Sequence, residues 1–115
     1  MPIPSEITEL IDRLNQELSQ IEQDASEGVS LIRLLLSQFS DNVRLIQFLA
    51  FFNNGLFLVE ISRRRIQGIY EKIAVPDVTE QEIQNAGEEL GTLLGQILET
   101  QIRGRRILNI LDEIR

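Results

Sequence analysis

Glu88 with Glu89, and Asp112 with Glu113, are the paired carboxylates that could do acid–base chemistry in this 115-residue sequence. Successive residues of a helix point in different directions, so neither pair can share a proton or straddle a substrate. Glu60 is flanked by apolar residues in "LFLVEIS", but the arginines of "SRRRIQG" follow within a turn. The sequence has no histidine, which removes the commonest general base and the Glu-x-x-His ligands of a di-iron helical bundle. It has no cysteine, which removes a thiol nucleophile, a zinc–thiolate site and a disulfide framework. No glycine-rich phosphate loop follows a strand, because no segment reads as a strand. The expectation is a protein that is not an enzyme, with no catalytic residue, no metal site and no cofactor.

Whatever these side chains do must be positioned by helices. From Ile7 a spacing of 4, 3, 4, 3 runs through Ile11, Leu14, Leu18, Ile21, Ala25, Gly28, Ile32, Leu35 and Phe39. That repeat keeps one apolar stripe turned toward a partner helix, as in coiled coils. It predicts a helix over about 5–39, with Ser5 as N-cap and phase kept across Gly28. A turn at "FSDN", capped by Ser40 or Asp41, leads to a second helix over about 42–74. Its stripe is Leu45, Leu49, Phe52, Leu56, Val59, Ile66, Tyr70 and Ile73. Pro76 ends it, and Thr79 with Glu82 forms a capping box for a third helix over about 80–113, with Ile83, Gly87, Leu90, Leu94, Ile97, Gln101, Gly104, Leu108 and Leu111 inward. Short connections force antiparallel neighbours. The predicted fold is all-α: one domain, an elongated, up-down-up, coiled-coil-like three-helix bundle. Composition agrees, with 43% hydrophobic and 25% charged residues.

"LIQFLAFFNNGLFLV", residues 45 to 59, is more apolar than one core stripe requires. It is too short to span a bilayer, it carries Asn53 and Asn54 at its centre, and Arg44 and Glu60 close its ends. Phe48, Phe51 and Leu58 remain apolar after the main stripe is buried, and "VSLIRLLL" adds to the surplus. A helix that is apolar all round must be covered all round. These three residues are therefore assigned to a homodimer interface, with Asn53 and Asn54 either fixing its register or facing solvent beside Gly55.

"GEELGTLLG" sets Gly87, Gly91 and Gly95 four apart, and the spacing suggests close packing beneath Leu58, Ser62 and Ile66 or across a dimer. Fold-back pairing places Arg63, Arg64 and Arg65 beside Glu88, Glu89 and Glu17, an inter-helix charge belt. It gathers Arg33, Arg44, Arg103, Arg105 and Arg106 at one end, a candidate patch for an acidic protein surface, an anionic headgroup or a nucleic-acid backbone, or else a solvated helix terminus. Nucleic acid is not the expected partner of a chain with net charge −7.

The runs "MPIPSEITELIDRLNQEL" and "NNGLFLVEISRRRIQ" resemble a group of short, uncharacterised, all-helical cyanobacterial proteins, some of which carry the label of a restriction-enzyme specificity subunit. The resemblance implies a helical fold, similar at most to the spacer of such a subunit. It brings no DNA recognition, since the chain has no room for two DNA-reading domains.

The sequence thus predicts a scaffold or assembly module that pairs with itself and with an unidentified protein partner. The alternative is a bundle that binds a small molecule or lipid in its apolar half, and a peripheral membrane contact is a third reading. "MPIPSEITEL" lacks the charged-then-apolar order of a signal peptide, so the expected location is cytoplasmic.

Overall fold

The computed structural model describes residues 3–114, and among them it holds three α-helices and no strand: α1 Ser5–Leu36, α2 Val43–Ile73 and α3 Glu80–Ile114. The molecule is a rod of 59 × 19 × 16 Å. Phe52 of α2 lies on Gly28 of α1, while Ile7 meets Gly87 and Asp24 meets Arg105 on α3. The order is therefore up, down, up, and α1 packs along both other helices more fully than they pack on each other.

Local chemistry explains the boundaries. Pro4, extended at φ −60 and ψ 144, is the N-cap residue of α1, and its carbonyl accepts from the amides of Ile7 and Thr8. Ser5 is already helical and does not cap, contrary to the sequence expectation. α1 also stops three residues early: the Gln38 amide donates to the Leu35 carbonyl three residues back, which breaks the i→i−4 ladder and tightens the last turn. Asn42, rather than Ser40 or Asp41, caps α2 by accepting from the Leu45 amide at 3.0 Å. The capping box forms as expected: Glu82 N–H donates to Thr79 Oγ1 at 3.1 Å, and Thr79 N–H donates to Glu82 Oε1 at 3.0 Å.

The three predicted stripes face inward with small drifts, except that Phe39, the expected end of the first, lies beyond α1 and is exposed. Ile69 is buried where Tyr70 was expected, and Leu93 is buried more deeply than Leu94. An α-helix gains roughly 20° per heptad on a strict 3.5-residue repeat, so a long stripe slips by one residue.

The core is in two parts. Leu14, Leu18, Val59, Ile66, Leu90 and Ile97 belong to the larger, and Ile32, Leu35, Leu45, Phe52, Leu108 and Leu111 to the smaller. Between them lies a waist of small and polar residues, Asp24, Gly55, Thr100, Gln101 and Gly104, around a cavity of about 10 Å³. Here two glycines have a clear purpose. A Cβ on Gly28 would stand under 3.0 Å from three carbons of the Phe52 ring, and one on Gly104 would touch Phe51 and Phe52. The large ring enters the core because these backbones have no side chains in its way.

Gly87, Gly91 and Gly95 do not pack beneath Leu58, Ser62 and Ile66. Gly87 is half-buried against Ile7, whereas Gly91 and Gly95 are exposed, with nothing within 4 Å of the point where a Cβ would stand. Steps of four residues advance 400° around a helix, so the row turns progressively out to solvent.

Candidate interaction surface

α2 explains the apolar surplus in a way the sequence alone does not. Phe48 and Phe51 are half-buried against the smaller core, and Leu58 is half-buried as well. Phe51 meets Phe52 edge-on at 5.6 Å between ring centroids. The apolar side chains left outside are Val43, Ile46, Phe57 and Ile61, at 65%, 49%, 63% and 47% exposure. With exposed Ala50, Asn53 and Asn54 they follow one another at spacings of three and four, so they form one continuous outer face of α2. Asn53 and Asn54 sit at its midpoint and face solvent. Asn53 and Asn54 line up with exposed Phe57, while half-buried Phe51 and Leu58, three residues before and four after Asn54, stand at the edge of the same face and Phe48 lies farther round. The overlooked signal was the second three-four series Val43, Ile46, Ala50, Asn53, Phe57, which runs behind the first.

α2 is long and apolar enough to cross a membrane by length and composition: its most apolar 18-residue window has mean hydropathy 1.5, and 28% of that window is buried. Leu34 and Phe39, near the turn before α2, are also exposed, at 61% and 52%.

The five arginines do not make one patch. Arg103 pairs with Glu99 on its own helix at 3.3 Å, Arg105 pairs with Asp24 at 3.3 Å, and the Arg44 guanidinium lies 5.3 Å from the Phe48 ring centroid. Arg33 and Arg106 are exposed. Arg105 contacts the middle of α1, so it stands away from Arg33 and Arg44, which lie near helix ends. The charge belt does form, with altered partners: Arg65 reaches Glu89 at 3.2 Å, Arg63 reaches Glu22 at 3.0 Å rather than Glu17, and Arg64 pairs with Glu60 at 2.7 Å. All are exposed, so each is worth under about 1 kcal/mol.

Asp24 is the polar residue that sequence reasoning passed over. Its side chain is 6% exposed; Oδ1 accepts from Gln20 at 2.9 Å and faces Arg105, while Oδ2 has no hydrogen bond to protein. It lies one position off the α1 stripe, where Ala25 and Gly28 are too small to push it out to solvent. The waist cavity beside it is of water size, far below the roughly 300–1,000 Å³ of small-molecule sites. Among the described residues no cluster of three or more acidic side chains could hold a metal ion.

No family model matches the chain, and no curated protein or solved structure matches it either.

Proposed function

We propose that this protein is a non-catalytic interaction module of the cytoplasm that works as a homodimer, its copies joined through the outer face of α2. The observation that carries the reading is the series Val43, Ile46, Phe57 and Ile61, each about half exposed or more on a single helix face and separated at its middle by Ala50 and the two asparagines. Completing the burial of one such side chain gains on the order of 1 kcal/mol, and eight of them lie in a dimer. The sum is of the same order as the cost of association, so a moderate dimer is expected rather than an obligate one. Dimerisation leaves Arg33 and Arg106, on the other helices, free to meet an acidic partner protein. The binding of a small molecule or lipid is less favoured, because the cavity within the bundle admits only a water-sized guest.

Sedimentation velocity across about 1–100 µM, the range in which interfaces of this strength dissociate, tests the reading. The wild type should sediment as a dimer, and Phe57→Asp as a monomer of unchanged helicity. A wild type that stays monomeric at the highest concentration, or that floats with vesicles instead, would overturn it.

A further inference from the structure

The residues of the outer α2 face set large against small about its midpoint, and from this we infer that the two copies pair antiparallel, with the Asn53 and Asn54 of each meeting their own counterparts at the two-fold axis. The inference rests on the dimer reading above and specifies its partner surface. Asn53 and Asn54 stand at the midpoint of the face. Stepping outward in both directions gives Ala50 and Phe57, then Gln47 and Glu60, Ile46 and Ile61, and finally Val43 and Arg64, all exposed.

A two-fold axis between the asparagines brings each member of these pairs level with its counterpart on the other copy. Val43, Ala50, Phe57 and Arg64 recur every seven residues along the centre line of the face, so they meet head-on. Head-on layers need a large residue opposite a small one, and Phe57 over Ala50 supplies it twice. A two-fold keeps each flank on its own side of the centre line, so in the alternate layers Ile61 meets Gln47, Ile46 meets Glu60, Asn53 meets Asn53 and Asn54 meets Asn54. Each asparagine amide offers both a donor and an acceptor, so the central layer can satisfy itself across the axis.

A parallel pairing fails on the same residues. It stacks Phe57 on Phe57 and leaves Ala50 facing Ala50, which wastes volume at one level and crowds the next. It also sets Glu60 on Glu60 and Arg64 on Arg64. In the antiparallel arrangement Glu60 meets Ile46 and not a second Glu60, and Arg64 lies by Val43, two residues from Asp41 of the other copy. Arg63 stays with Glu22 of its own chain, at 3.0 Å. Antiparallel helices also oppose their macrodipoles. A seven-residue slip would set one asparagine of each copy against an isoleucine, Ile46 or Ile61, and would stack Ala50 on Ala50 or Phe57 on Phe57, so the central layer favours this register.

The absence of cysteine makes the pairing directly readable. In the antiparallel dimer, residue 54 lies next to its own counterpart, whereas the two copies of residue 43 are about 30 Å apart along the helices, beyond disulfide reach. Asn54→Cys should oxidise largely to a linked dimer, and Val43→Cys should remain monomeric on a non-reducing gel. An equimolar mixture of Val43→Cys and Arg64→Cys should give the mixed disulfide. Self-linking of Val43→Cys, or a mixture that yields no mixed disulfide while sedimentation still reports a dimer, overturns the antiparallel pairing. Absence of any dimer by sedimentation defeats the underlying reading instead, so the two failures are separable.

Discussion

At the scale of single residues, the glycines separate two situations that look the same in the sequence. A mid-helix glycine costs about 1 kcal/mol relative to alanine, so Gly→Ala should usually stabilise. At Gly91 and Gly95 there is open space for a Cβ, and each alanine should raise stability by up to about 1 kcal/mol. At Gly28 the Phe52 ring occupies that space, and Gly28→Ala should instead cost about 1–3 kcal/mol through overpacking. Urea melts followed by circular dichroism, at one protein concentration, check both signs; a stabilising Gly28→Ala would mean that Phe52 is not seated there. Asp24 gives a second residue-scale outcome. Arg105→Ala leaves its buried carboxylate with Gln20 alone, but Arg105 is 55% exposed, so about 1–2 kcal/mol is the expected loss. Adding Asp24→Asn to that variant should recover part of it. Neither effect was legible from residue types, because both depend on which side chain enters which gap.

At the scale of elements, most of the fold could be read in advance and the interaction face could not. α1 and α3 carry polar residues opposite their apolar stripes, so the pattern states which side faces in. α2 is apolar nearly all round, and two three-four series run along it. One, through Leu45, Phe52, Val59, Ile66 and Ile73, is the core; the other, through Val43, Ile46, Phe57 and Ile61, is the surface. The heptad spacing ranks the first as the core, and the Phe52 ring is seated there on Gly28; the second is harder to see because Ala50 and Asn53 interrupt its large apolar side chains. Helix ends were legible where the chemistry is local and reciprocal, as at Thr79 and Glu82, and less so where several polar residues compete, as at Ser40, Asp41 and Asn42. Since Asn42 is the side chain that bonds the α2 N-terminus, Asn42→Ala should cost about 1 kcal/mol, while Ser40→Ala should change little in the same melts.

At the scale of the whole molecule, the divided core and the outer face of α2 bear on each other. At the waist beside Asp24, Gly55 and Gly104, Ile21 of the larger core and Ala25 and Phe52 of the smaller line one cavity, and the buried side chains form two separate clusters, so few apolar side chains join them. Regions with few buried apolar contacts open below the global unfolding free energy. Among the described residues the smaller core holds seven buried hydrophobic side chains against thirteen in the larger, so it should be the part that opens first. The outer face runs from Val43, level with the smaller core, to Arg64, level with the larger, and so a second copy laid along it spans the waist on the side where the bundle is weakest. Self-association should therefore do more than add stability uniformly: it should couple the two halves. Native-state hydrogen exchange checks this. In the monomeric Phe57→Asp variant, amides of the smaller core should exchange through a partial opening at a lower free energy than those around Leu90 and Ile97, and Leu111→Ala should lower theirs further, by about 2–5 kcal/mol. In the wild-type dimer the two sets should converge toward one opening energy. If they are equal in the monomer already, the waist is no boundary, and dimerisation has nothing there to brace.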